Sequence, residues 1–355
     1  MKITDIQVFE VEAPLITPFK TALRTVDKIN NIGVYVYTDS GQVGVGEAAP
    51  TAVITGETRD SIIHAILNYI KPTILGMEIE DIAQIMDRID KCLYKNTSAK
   101  AAVDMAIYDL FAKRYQAPLY KVLGGYRKEL VTDLTISVNY AKEMVEDSLE
   151  AVKRGFQILK VKVGKDPDND VDRVTEIRKA VGPNITLRVD ANQGWSPKQA
   201  VKIIRALEDA NTNIELVEQP VHYSDIEGMH YVTANTQTSI LADESVFSPQ
   251  DALKLIHTRS CDLINIKLMK TGGIYQAQKI VHIAEANGIE CMIGCMLETK
   301  ISVSAAAHFA ASQKNITMVD LDGPSLCLKD PVTGGPTFEN QWIRMSEEPG
   351  IGFSI

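Results

Sequence analysis

Five charged residues, Lys162, Asp190, Glu218, Asp243 and Lys267, recur along the chain at steps of 28, 28, 25 and 24 residues. Each step is the length of a strand, a loop, a helix and a return loop, and each residue closes a short apolar run. The runs occupy 157–163, 185–190, 214–218, 239–243 and 263–267. Charges at successive strand ends converge at the C-terminal mouth of a (β/α) barrel, where side chains from different strands meet. The spacing therefore predicts a barrel whose mouth is an enzyme site.

A length of 355 residues accommodates such a barrel, of about 200 residues or more, and a smaller partner. Segments 2–15, 31–39 and 42–48 alternate like antiparallel strands, and Thr38-Asp39-Ser40-Gly41 is a hairpin turn signal. Helical spacing follows at Ile62, Ile66 and Ile70, at Ile79, Ile82, Ile85 and Ile89, and in the helix formers of 101–115. These elements predict an α+β capping domain over 1–125. Strand and helix then alternate, with a first strand at 130–138 and others near 158, 185, 214, 239, 262, 289 and 316. The expected fold class is α/β, a modified TIM barrel of (β/α)7β form over 126–322. The turn-rich tail 323–355 is expected to return to the capping domain.

The formal charge of −9, with no large cluster of lysine or arginine, argues against a nucleic-acid or membrane-surface partner. The start alternates like a strand, and no run of about 18 apolar residues occurs, which predicts a soluble cytoplasmic protein. Cys92, Cys261, Cys291, Cys295 and Cys327 are odd in number and scattered, so neither a disulfide framework nor a zinc pair is expected. A regular barrel is compatible with several assemblies, a homo-oligomer among them.

Side chains alternate along a strand, so Lys160 and Lys162 point the same way, toward the barrel axis. Burial and mutual repulsion are expected to lower the pKa of at least one, as a lysine general base requires. Asp190, Glu218 and Asp243 offer hard oxygen ligands suited to Mg²⁺; the alternative is that they only pair with the lysines. His222, His230, His257, His282 and His308 fall in loops or on helices, which disfavours zinc. Lys267 approaches the axis from the side opposite Lys162. Two bases flanking one carbon allow a proton to leave from one face and return on the other, inverting that centre through an enolate.

With Lys160-Val161-Lys162, Asp190-Ala191-Asn192-Gln193-Gly194-Trp195, Val217-Glu218-Gln219-Pro220, Ala242-Asp243-Glu244-Ser245 and Asn265-Ile266-Lys267, the chain resembles the dipeptide epimerases. These belong to the muconate-lactonising subgroup of the enolase superfamily, whose lysine or histidine bases and Mg²⁺ are a known pattern. The stretch 102–110 is also similar to that family. The resemblance implies Lys162 and Lys267 as acid/base catalysts, Lys160 as the partner tuning Lys162, and Asp190, Glu218 and Asp243 as Mg²⁺ ligands. It further implies that Asp320 and Asp322 grip the α-ammonium of a dipeptide; on residues alone, Asp322-Gly323 reads equally as an ordinary turn.

Substrate choice is expected in segments 17–26 and 51–58. There Arg24 suits an acidic side chain, as in similar epimerases acting on Ala-Glu, whereas Phe19 and Ile54 suit an apolar one. Glu298, just past the seventh strand, is expected to line the pocket. The competing readings are an N-acyl amino acid racemase, an o-succinylbenzoate synthase or a cycloisomerase of the same subgroup. Outside it stand a metal-dependent barrel hydrolase and a non-catalytic binding protein.

Overall fold

The computed structural model describes residues 1–353. Three antiparallel strands open it: β1 (Ile3–Lys20), β2 (Thr25–Thr38) and β3 (Val43–Ala48), in that order across the sheet. Alternation sets one face inward, burying Ile6, Ile32, Val34 and Val36, with Ile6 directly opposite Val36. The helix Thr97–Arg114 lies against that sheet, and its contact surface is built for close approach. A Cβ at Gly44 would fall 2.2 Å from the Ala106 carbonyl oxygen, and one at Gly46 only 1.9 Å from that of Ala102. Small residues on both sides let backbone meet backbone.

The first hairpin is longer than its sequence suggests. Segment 17–26 is not an open loop but the tip of β1 and β2, with Phe19 opposite Val26 and Lys20 opposite Thr25. A tight turn closes it, the Thr21 amide donating to the Arg24 carbonyl at 3.0 Å. Pro14 and Pro18 lack an N–H, a loss tolerated in β1 because it is an edge strand. The ladder shifts register between Pro14 and Phe19 and then continues.

The expected strand over 130–138 divides at Thr132-Asp133 into β4 (Glu129–Val131) and β5 (Leu134–Ile136). Parallel strands β5, β6 (Ile158–Lys162), β7 (Thr186–Asp190), β8 (Ile214–Glu218), β9 (Ser239–Ala242), β10 (Leu263–Lys267), β11 (Glu290–Gly294) and β12 (Ile316–Asp320) follow one another as neighbours. The linking helices are Ala141–Lys153, Asp170–Val181, Pro197–Asp209, Ile226–Asn235, Pro249–His257, Ile274–Ala286 and Lys300–Ser312. The fold is thus the (β/α)7β form expected.

The barrel is nearly, not fully, closed by ladder bonds. At the β12/β5 seam the Asp133 amide donates to the Val319 carbonyl at 3.3 Å and the Leu321 amide to Thr132 Oγ1 at 2.8 Å. Arg188, reaching from β7, donates to both Asp133 Oδ2 and the Val319 carbonyl, at 2.8 and 3.1 Å. Beneath the charged strand ends, Leu216, Leu241, Met292 and Met318 form a separate apolar cluster. Each lies two residues before a mouth position and so shares its inward face.

The tail strands β13 (Thr337–Glu339) and β14 (Trp342–Arg344) form a small sheet with β4. Beyond them, the Ile351 amide donates to Asp109 of the N-terminal unit at 2.9 Å. Two buried carboxylates from that unit cap barrel helices. Glu47 accepts from Thr299 and Ser302 at the start of Lys300–Ser312, and Asp104 accepts from Ile274 and Tyr275 at the start of Ile274–Ala286. Carboxylates are favoured at helix N-termini, so these caps tie sheet and helix to the barrel. No helix among the described residues is long and apolar enough to cross a membrane.

Candidate active site

Strand register sets the charged ring. Lys162 lies level with Asp190, Asp190 with Glu218, Lys267 with Gly294, and Gly294 with Asp320. Asp243 directly follows β9. Gly294 makes room for the lysine beside it, because a Cβ there would stand 2.9 Å from Lys267 Cε. Lys162 and Lys267, on β6 and β10, are four strands apart in a sheet of eight, which places them on opposite sides of the mouth.

The ring is tightly paired. Lys160 Nζ is 2.7 Å from both Glu218 and Asp320 and 3.1 Å from Asp190; Lys162 Nζ is 2.6 Å from Asp190 and Lys267 Nζ 2.7 Å from Asp243. This arrangement corrects the expected lowering of a lysine pKa for Lys160. Burial does disfavour its charge, but Asp320, Glu218 and Asp190 outweigh burial and hold the ammonium well above its ordinary range. Lys267 is raised in the same way, Asp243 overcoming burial. Repulsion between Lys160 and Lys162 is offset because Asp190 Oδ2 stands between their two ammonium groups.

The acids divide by neighbourhood. Burial and the adjacent Asp190 push Glu218 up to about 7, whereas Lys267 and Lys270 outweigh burial and draw Asp243 far down. Glu218 Oε2 and Asp243 Oδ1 lie 2.7 and 2.6 Å from Lys160 and Lys270 but accept no well-angled hydrogen bond. Such oxygens, buried and under-coordinated, have the chemistry a divalent cation takes, and three carboxylates with no imidazole or thiolate suit Mg²⁺. Each carboxylate is nevertheless turned onto a lysine, and no three acidic or imidazole groups among the described residues surround one point. The donor set fits the ion, and binding requires the carboxylates to turn from their lysines.

A cavity of about 60 Å³ opens over this ring, lined at its base by Lys160, Lys162, Lys267, Asp243, Asp320 and Asp322. Phe19, Arg24 and Ile54, from the capping unit, line its upper wall. Asp320 is held down to about 2 as Lys160 overcomes burial; burial and Asp320 push Asp322 up to about 6. Asp322 Oδ2 accepts the Thr135 amide at 2.7 Å.

Glu298 is a correction. Its Oε1 accepts the amide of Met296 at 2.6 Å, two residues back, and it stands outside the cavity lining. The local turn satisfies that carboxylate oxygen.

Several residues quoted above only as parts of motifs, with no role, take part in the site. Glu244 and Asn192 line the cavity, and Asn265 Nδ2 donates to Glu218 Oε1 at 2.9 Å. Gln219 joins two strand ends: its Oε1 accepts the amides of Asp243 and Ser245 at 2.9 and 3.2 Å, while Nε2 donates to Ser245 Oγ at 2.8 Å. Its backbone holds φ at 37°, in the left-handed region costly for a residue with a Cβ. Position directly after Glu218 was the signal available for it.

Residues 3–124 match the model of the mandelate racemase / muconate lactonizing enzyme N-terminal domain, and residues 143–355 match the enolase C-terminal domain-like model. An L-Ala-D/L-Glu epimerase of Clostridium acetobutylicum is 54% identical over 99% of this chain and 98% of its own. A hydrophobic dipeptide epimerase of Enterococcus faecalis is 46% identical over the full length of both. Among solved structures, a substrate-liganded L-Ala-D/L-Glu epimerase of Bacillus subtilis superposes with a TM-score of 0.98 at 52% identity, covering 99% of each chain. The dipeptide epimerase of Enterococcus faecalis, complexed with Mg and L-Leu-L-Tyr, superposes at 0.97 with 46% identity and full coverage of both chains. On this likeness, and on a lysine-flanked acidic ring at the mouth of a (β/α)7β barrel, the chain belongs to the mandelate racemase and muconate lactonizing enzyme family of the enolase superfamily.

Proposed function

We propose that this chain is a Mg²⁺-dependent dipeptide epimerase, inverting the α-carbon of the C-terminal residue by two-base 1,1-proton transfer. The observation that carries the reading is the placement of Lys162 and Lys267 on opposite sides of one mouth, with Asp190, Glu218 and Asp243 at the strand ends between them. In this scheme one lysine, as free amine, takes the α-proton; the other, as ammonium, returns a proton to the opposite face of the enolate. Lys160 stays cationic and partners Lys162 in the ring. Asp190, Glu218 and Asp243 would hold Mg²⁺, which when bound supplies positive charge beside the substrate carboxylate. Asp320 and Asp322 receive the α-ammonium.

Arg24 favours an acidic side chain on the inverted residue, as in Ala-Glu. It faces the cavity, and burial alone moves its pKa, downward, with no acidic neighbour to offset it. Phe19 and Ile54 then pack the aliphatic stem. Residues 1–125 and 323–355 act as the cap and 126–322 as the barrel. The five free cysteines fit a cytoplasmic setting.

Proton NMR of a dipeptide panel in D₂O with Mg²⁺ tests the reading. The C-terminal α-proton signal is expected to disappear as the second diastereomer accumulates, without free amino acids. Release of amino acids indicates a hydrolase, and an unchanged α-proton across the panel refutes the proposal.

A further inference from the structure

Behind Arg24 lies a second cavity, about 320 Å³ against about 60 Å³ for the catalytic one. The two share Arg24, Thr51 and Leu297 as a common wall. Three cations line the second cavity, Arg24, Lys28 and Arg59, against one carboxylate, Glu57. Glu57 is already committed, accepting the amides of Ser98 and Ala99 at 2.8 and 3.0 Å. Lys28 and Arg59 pair with Glu12 and Glu10 at 3.0 and 2.5 Å, but those acids are 49% and 70% exposed and lie outside the lining. Such rim pairs exchange readily with water and other anions. The Arg24 guanidinium is the interior cation, and no acidic group offsets its burial.

The proposed reaction settles which part of a substrate meets this wall. The α-carboxylate would be drawn to an ion held by Asp190, Glu218 and Asp243, and the α-ammonium to Asp320 and Asp322. The side chain of the N-terminal residue then stays beside the ammonium at Asp320 and Asp322, and that of the inverted residue is left to point at Arg24 and the cap. Growth in that direction leads past Arg24 into the second cavity.

We infer that the side-chain subsite continues into this cavity and admits substrates whose C-terminal residue carries a further anionic residue through a side-chain amide. The inference rests on the dipeptide-epimerase reading. A plain acidic side chain ends at Arg24, while an extended one passes it and sets its terminal carboxylate between Lys28 and Arg59. The inverted centre and the two bases are the same for both. The cavity therefore widens the substrate class without altering the chemistry.

Three peptides test this by α-proton exchange in D₂O with Mg²⁺: L-Ala-L-Glu, the same peptide with glycine amide-linked to the Glu side chain, and that form ending in glycinamide. The glycyl form is expected to exchange with kcat/KM within about tenfold of the parent, and the glycinamide form about tenfold worse than the glycyl form, the size of one charge contact. The double variant Lys28→Ala and Arg59→Ala is expected to lower the ratio of glycyl to parent kcat/KM by about tenfold. Exchange on the parent but not on the glycyl form overturns the extended subsite and leaves the epimerase reading intact. So does exchange confined to the apolar members of the dipeptide panel above. Equal rates for the glycyl and glycinamide forms, or a ratio unmoved in the double variant, overturn the cationic cavity. Absence of exchange on every dipeptide overturns both.

Discussion

Lys162 and Lys267 close strands that stand four apart in a sheet of eight, so their amines reach one point from opposite sides of the barrel. Lys162→Ala and Lys267→Ala are each expected to lower epimerisation by about 10³-fold or more. Each variant should still exchange the α-proton of one stereoisomer, the two variants choosing opposite ones. Full epimerisation by either variant contradicts the two-base scheme.

Asp322 sits at the cavity base, bound on one oxygen by the Thr135 amide. Asp322→Asn retains an acceptor for that amide but loses the charge. Turnover of a free-amine dipeptide should fall by about 100-fold, with little change for the N-acetylated analogue, which carries no ammonium. Equal losses for the two substrates would assign Asp322 a structural role instead.

Gln219 bonds the Asp243 amide directly after Glu218, so one side chain sets the relative positions of two proposed Mg²⁺ ligands. Gln219→Gly removes those bonds yet relieves the left-handed backbone. Mg²⁺ affinity, measured by calorimetric titration, is expected to fall by about 10- to 100-fold, the usual consequence of losing a support behind a ligand. Unchanged affinity would show that the strand ends hold the acids without it.

His308 is buried on the helix Lys300–Ser312, its Nδ1 accepting the Tyr120 amide at 3.1 Å. Burial lowers its pKa to about 3 from the ordinary 6.5. Below about pH 6.5 the unfolded chain binds the additional proton, so stability declines as pH falls toward 3, by up to about 1.4 kcal/mol per unit. Above pH 6.5 this contribution is fully present. Urea unfolding of His308→Gln should show a shallower loss of stability between pH 6 and about 4 than the parent; parallel curves would exclude the histidine as the source.

Much of the site was legible because period two along a strand is a local property. Lys160 and Lys162, or Asn265 and Lys267, share an inward face whatever lies around them. Register then needs only regular spacing, and the even steps from Lys162 to Lys267 supplied it. The extension of β1 past the expected 2–15 to Lys20 was not legible, since Pro18 is tolerated on an edge strand and only the assembled sheet makes β1 an edge. Glu298 was misplaced because proximity to the seventh strand end says nothing about a turn that folds its carboxylate back onto Met296.

The sequence by itself determined the fold class, the order of the strands and which charges stand at their mouths, because these follow from hydrophobic period and spacing. Tertiary structure alone decided that Asp320 and Glu218 keep Lys160 charged, that Gln219 links two strand ends, and that Arg24 stands between two cavities. Those are contacts through space between residues as far apart as 160 positions, and electrostatics in a buried ring depends on such distances rather than on neighbours along the chain.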